Sequence, residues 1–231
     1  MLETILVYTA LMSLMLFFTY KASTESDKSK RICYYIVPIF LYTLVFGLRY
    51  CVGMDYMAYL NIYQQWDPTL SISQNMTAAP DIFEHLEKPF LGFIMLFKNI
   101  FHAHYVVFFS AIAFLEIVLI YITYLDCKKV LVASIMPFFA LGVATNPFQN
   151  MLRQDIALCI FLFAIPFIIQ KDWKRYFLCI FTACLFHKSA IILFPVFFIY
   201  YKSDWSIFHS TKARIITLTI FFLLSYADIT N

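Results

Sequence analysis

Apolar residues fall in long unbroken blocks along this chain, with short polar stretches between them. The runs 2 to 20, 32 to 48, 105 to 125, 130 to 146 and 153 to 170 each hold about 17 to 21 residues, or roughly 25 to 32 Å as helix, enough to cross a bilayer with modest tilt. Residues 89 to 101 are too few for an easy crossing, so Pro89 is read as opening an interfacial or re-entrant helix. Residues 176 to 201 read either as one long span broken near His187 or as two short tilted spans meeting there. A last run covers 215 to 227. The first run has Glu3 at its start instead of a basic segment, and no small-residue cleavage site comes after it, so it is expected to be a retained span and not a signal peptide. No repeat, low-complexity tract or soluble domain interrupts the pattern. The expectation is a single transmembrane domain over 1 to 231: an all-α polytopic bundle of about seven to eight spans plus one short interfacial or re-entrant helix.

Composition agrees with that class. With 62% hydrophobic and 13% charged residues, the chain has more apolar side chains than one soluble core would bury, and its 27 Phe and 16 Tyr suit lipid-facing and interfacial positions. Basic residues set the orientation. Lys21, Lys28, Lys30, Arg31, Lys128, Lys129, Lys171, Lys174, Arg175, Lys202, Lys212 and Arg214 are twelve of the 17 Lys and Arg. All fall in loops that the positive-inside rule assigns to the cytoplasm. For 176 to 201, only the two-span reading keeps Lys202, Lys212 and Arg214 on that side. The loop 49 to 88 is acidic by balance and is expected outside. The net charge of +3 is spread over the loops, with no arginine-rich arm or zinc spacing, so nucleic acid is not an expected partner. The six cysteines show no C-x-x-C spacing and mostly lie in or beside apolar runs, which argues for buried thiols over disulfides or metal.

Chemistry-bearing residues concentrate at span ends. Arg49, Gly53, Asp55, Tyr56 and Tyr59 follow the second run, Arg153-Gln154 opens a later one, and Phe186-His187-Lys188-Ser189 breaks the last long block. On the topology above, Arg49, Asp55, Arg153 and His187 all reach one external vestibule.

The pattern Leu48-Arg49-Tyr50, Val52-Gly53, Asp55-Tyr56 and Tyr59, then Met151-Leu152-Arg153-Gln154 with Ala157, then Phe186-His187-Lys188-Ser189-Ala190, resembles the EpsG family of exopolysaccharide membrane proteins, which are similar to Wzy-type polysaccharide polymerases. The resemblance implies a GT-C-like multispanning glycosyltransferase of the bacterial cytoplasmic membrane, with its site facing outward. Such an enzyme joins polyprenyl-diphosphate-linked oligosaccharide units in capsule, O-antigen or exopolysaccharide biosynthesis. The partners implied are that lipid-linked donor, membrane lipids and other polysaccharide-assembly membrane proteins; no cofactor is implied. The chain differs from the family pattern at Asp155, where a small or neutral residue is usual, and is expected to be shortened at its C-terminus relative to the family.

Transfer of a sugar from a polyprenyl diphosphate builds charge on the leaving diphosphate. Arginine suits that task, being always charged and able to donate in a fork, so Arg49 and Arg153 are the candidate substrate-binding cations; the alternative is snorkelling to headgroups. The acceptor hydroxyl needs a base, for which Asp55 and His187 are the catalytic candidates. Asp55 would equally cap the helix starting at Tyr56, and His187 would equally be a structural histidine. Tyr56, Tyr59 and Tyr63 share a helical face, either to stack on sugar or as interface tyrosines. Asp81, Glu84 and Glu87 share another, read as a solvated helix. Glu116 lies mid-span and is expected to face a cavity or a partner. His102 and His104 lack further ligands and read as interfacial, so no metal site is expected.

Two other functions compete with glycosyl transfer. A flippase or transporter of lipid-linked glycans would use the same arginines, and a membrane O-acyltransferase would use an intramembrane His.

Overall fold

The computed structural model of the chain describes residues 2–53, 55–124 and 152–201. Every regular element among them is helical. In chain order these are α1 (Leu2–Thr24), α2 (Lys28–Gly47), α3 (Tyr56–Gln65), α4 (Ile72–Ala78), the single turn α5 (Pro80–Phe83), and α6 (Lys88–Met95), which continues as a π-helical turn, Leu96–Ile100. There follow α7 (Tyr105–Tyr124), α8 (Leu152–Ile169), α9 (Trp173–Phe186), a 3₁₀ stretch (Lys188–Leu193) and α10 (Val196–Tyr201).

Among the described residues four stretches are long and apolar enough to cross a membrane: Leu6–Thr24 within α1, α2, Tyr105–Thr123 within α7, and α8. They fit a membrane protein, and their outward faces carry bare rings such as Phe17, Phe40 and Phe114. The expected spans at 130 to 146 and 215 to 227 lie outside the described residues.

Local signals explain where the chain turns. Asp27 ends the link between α1 and α2 by accepting the backbone N–H groups of Ser29 and Lys30 at 2.8 and 3.1 Å. Asp172 does the same for α9 through Arg175 N–H at 3.1 Å, just after Lys171 adopts a left-handed conformation (φ 57°) that closes α8.

α1 and α2 form an antiparallel pair, with Tyr8 against Phe46 near one end and Phe18 against Tyr34 near the other. α2 is antiparallel to α7: the Tyr42 hydroxyl donates to Glu116 Oε2 at 3.2 Å, and Tyr35 meets Tyr121 edge-on at 5.8 Å. Gly47 makes the tightest approach. A methyl group there would lie 2.8 Å from the Ser110 Cα and 2.1 Å from its Oγ. α8 runs in the same direction as α7, with Leu152 beside Phe109 and Ile112, and Cys159 two turns on close to Glu116.

The block 176 to 201 breaks at His187, where both readings put the break, and its two parts lie side by side. After His187 the chain folds back along α9, so that the Tyr176 hydroxyl donates to Leu193 O at 2.5 Å and Phe177 stacks on Phe194 at 4.4 Å. Among the described residues neither α9, with 14 residues, nor the stretch from Lys188 to Tyr201 is one of the helices long enough to cross, so the two short spans expected here are not among the crossing helices.

One end of the bundle therefore holds the 25–27 and 170–172 turns. The other, the cap end, holds Arg49, α3 to α6, the start of α8 and His187. The cap is folded, not an open loop. Asn75 is buried and ties it together: its Oδ1 accepts the Asp67 N–H at 2.9 Å, and its Nδ2 lies 3.0 to 3.2 Å from the carbonyls of Asp67, Leu70 and Ser71. Trp66 donates to Asn99 Oδ1 at 3.0 Å, and Asn99 to Pro68 O at 2.9 Å. The helix begun at Lys88-Pro89 lies in this cap, as expected for a non-crossing element. Its buried Phe90, Leu91 and Ile94 share one core with Phe108 and Phe109 of α7 and Ile156 of α8.

Candidate functional site

Glu87 is where three elements of the cap end meet. It is the N-cap residue of α6, and its Oε2 accepts a charge-assisted hydrogen bond from Arg153 Nη1 in the first turn of α8. Its Oε1 accepts the Lys188 backbone N–H at 3.2 Å and lies 3.6 Å from His187 Nδ1, at the C-terminus of α9. Burial pushes this carboxyl up. The hydrogen bonds from the Lys188 and Glu87 backbone N–H groups, together with the Arg153 guanidinium, outweigh it and hold the pKa below the ordinary value of 4.5. Arg153 is held on its other sides by Tyr59 Oη, which accepts Nε–H at 3.4 Å, and by His85 O at 3.4 Å.

Beside this junction an open cleft of about 240 Å³ separates the start of α8 from the chain after His187. Gln154, Asp155, His187 and Ser189 give it a polar side; Ala157, Leu158, Ile192 and Leu193 give it an apolar one. It offers together an imidazole and a lipid-like wall, and Arg153, next to Gln154 in the chain, adjoins it through the Glu87 junction.

Arg49 sits elsewhere. The backbone after α2 turns sharply through Cys51 (φ 53°) and Gly53 (φ 99°), a conformation that favours glycine. Arg49 is folded under this turn, 8% exposed, with the rings of Phe46 and Tyr56 at 5.9 and 5.8 Å from its guanidinium. It shares a cavity of about 10 Å³ with Glu116, a space just large enough for one water. Asp155 lies within electrostatic reach of both, so one arginine and two carboxylates form a buried polar group between α2, α7 and α8. Glu116 Oε1 and Asp155 Oδ2 have no hydrogen-bond partner among the described residues. Asp155 also borders the cleft, which makes it the link between the two polar groups.

The residues singled out from the sequence thus separate. His187 lines the cleft and Arg153 adjoins it. Arg49 lies beneath, and the single vestibule expected for both arginines is two neighbouring sites. Asp55 is exposed at the N-cap position of α3; its side chain makes no capping hydrogen bond and does not line the cleft. Tyr56 is fully buried and stacks on Phe109 at 4.9 Å. Tyr59 is buried behind Arg153, and Tyr63 stacks on Phe108 at 4.7 Å while its hydroxyl donates to Ala103 O at 2.7 Å. The tyrosine face looks into the core, so these rings do not present themselves to a sugar. Asp81 and Glu84 are exposed, but Glu87 is not: the chain breaks after α5 and turns it inward. Glu87 was the residue missed by spacing alone, and its signal was the Lys88-Pro89 helix start, which makes residue 87 an N-cap. His102 adopts φ 47° in the turn before α7. Among the described residues no group of three or more His, Cys, Asp or Glu is placed to hold a metal.

Searches among curated proteins and among solved structures returned no significant match. The model of the EpsG family matches residues 31–230, which takes in Arg49, Glu87, Arg153 and His187. With that match over most of its length, the chain belongs to the EpsG family.

Proposed function

We propose that this chain is a glycosyltransferase of the polysaccharide-polymerase type, joining polyprenyl-diphosphate-linked oligosaccharide units at the outer face of the bacterial cytoplasmic membrane. The observation that carries the reading is the convergence of Arg153 and His187 on one carboxylate beside a cleft with a polar and an apolar wall. The basic turns at the far end of the bundle favour an outward-facing cleft.

In this mechanism the imidazole of His187 takes the proton from an acceptor sugar hydroxyl. That oxygen forms the new bond to the anomeric carbon of the donor, and the bond from that carbon to the diphosphate oxygen breaks. The polyprenyl diphosphate departs with the electron pair, and Arg153 stabilises the charge that builds on it. The apolar wall of Ala157, Leu158, Ile192 and Leu193 accommodates the start of the lipid. Arg49 acts from beneath, through Asp155, and Asp55 is the second base candidate on the cap.

The test is polymer length in a host lacking its own polymerase, read by gel separation of extracted lipid-linked glycans. The unmodified chain is expected to give a ladder, His187→Gln single units, and Asp55→Asn a ladder. Single units from the unmodified chain would sink the reading; a ladder from His187→Gln with single units from Asp55→Asn would move the base to Asp55.

A further inference from the structure

We infer that Glu87 is a positioning residue for the transfer reaction, orienting His187 so that its Nε2 faces the cleft. This rests on the glycosyl-transfer reading above. The geometry begins with the imidazole itself. The His187 Nδ1 atom is buried and makes no hydrogen bond, while the ring borders the cleft, so Nε2 is the nitrogen open to an acceptor hydroxyl. Nδ1 faces Glu87 Oε1 at 3.6 Å. That is longer than a hydrogen bond, and such contacts tighten when substrate closes a site. A carboxylate on the Nδ1 side favours the tautomer with its proton there, which leaves the Nε2 lone pair for proton abstraction and then stabilises the imidazolium that forms.

Glu87 is fixed for this task. Its carboxylate is held by Arg153 from α8 and by the Lys188 N–H from the chain after α9, and its backbone opens α6. The charged groups around His187 are Glu87 from the cap, Arg153 and Asp155 from α8, and Lys188 beside it in the chain. Of the two carboxylates, only Glu87 is within 4 Å of an imidazole nitrogen. The same carboxylate sets the reach of Arg153, so base and cation keep a fixed relation.

The test uses the full chain in detergent with ¹⁵N-labelled histidine, the His187 signals being assigned by their loss in His187→Gln. In the unmodified protein, neutral His187 is expected as the Nδ1–H tautomer. Glu87→Gln should lower its titration midpoint by about one pH unit and mix the tautomers. Glu87→Asp, which keeps the charge but withdraws it, should show a smaller fall and so serves if the Gln variant folds poorly. In the transfer assay the acid limb of the pH profile should move down with the midpoint, and kcat should fall more than KM changes. An unchanged midpoint and tautomer in both variants would overturn the assignment to Glu87. If the NMR changes occur but the unmodified chain transfers no sugar, the orienting contact stands and the glycosyl-transfer reading falls.

Discussion

Removing the Arg153 side chain separates a structural strut from a substrate-binding cation, because the guanidinium is half committed to the protein itself. Its partner Glu87 is 12% exposed and Arg153 19%. Breaking a fully buried pair by deleting one member costs about 3–5 kcal/mol, whereas an exposed pair is worth about 1 kcal/mol or less. Glu87 keeps the Lys188 N–H after the change, so Arg153→Ala is expected to cost about 2–3 kcal/mol. For a chain of this size that is a fall of roughly 5–10 °C in apparent Tm. Arg153→Lys keeps the charge beside Glu87 and gives up two weak bonds of 3.4 Å, to Tyr59 and His85; its expected cost is about 1 kcal/mol or less. Pairing Arg153→Ala with Glu87→Gln removes the stranded carboxylate and should recover about half of the loss. Thermal unfolding of the four proteins in one mild detergent, each also assayed for polymer, reads both roles. Arg153→Lys should melt near the unmodified protein yet make little polymer, since an ammonium lacks the fork. The reasoning is refuted if Arg153→Ala melts with the unmodified protein, or if the double variant melts no higher than Arg153→Ala.

Three further outcomes follow from the packing and charge. Gly47→Ala should cost about 1–3 kcal/mol, because the backbone of Ser110 cannot give way, and a Tm equal to the unmodified protein's would contradict the tight α2–α7 contact. Since the Glu87 pKa is lowered in the fold, its stabilising contribution is complete above the ordinary value of 4.5 and is lost as pH falls through the folded value. The acid side of the Tm profile should therefore flatten in Glu87→Gln, and parallel profiles would discount it. In a cysteine-free background, a single cysteine at the exposed Ser73 should react with a membrane-impermeant reagent in intact cells and one at Ser26 should not; the reverse pattern would put the cleft on the cytoplasmic side.

The long spans were legible because a bilayer-length apolar run leaves little freedom: 105 to 125 became Tyr105–Tyr124, and 153 to 170 became Leu152–Ile169. The Lys88-Pro89 start and the break at His187 were legible from proline and polar residues within apolar sequence. What spacing could not give was rotation. Asp81, Glu84 and Glu87 share a face only if one helix carries all three, and the break after Phe83 sends Glu87 the opposite way. Tyr56, Tyr59 and Tyr63 do share a face, but periodicity cannot say whether that face meets water or Phe108 and Phe109. Arg49 and Arg153 are both near helix ends at the same level, yet the turn through Cys51 and Gly53 tucks one under the other's cleft. Asp155 stood out in the sequence only as a departure from the family pattern, and its double position between cleft and buried cluster is a tertiary fact.

The clasp around Asn75 bears on the order in which the chain matures. Its three side-chain partner residues, Asp67, Leu70 and Ser71, lie no more than eight residues away, and the ties from Trp66 to Asn99 and from Tyr63 to Ala103 close loops of 33 and 40 residues. All of them are available once the first hundred or so residues have been synthesised. Glu87 must wait longer, since Arg153 and Lys188 follow it by 66 and 101 residues. The short loops cost less entropy to close than the long ones. The polar ties of the cap can therefore close before α8 exists, whereas the core it shares with Ile156 and the fixing of the Glu87 carboxylate both await α8 and the chain after His187.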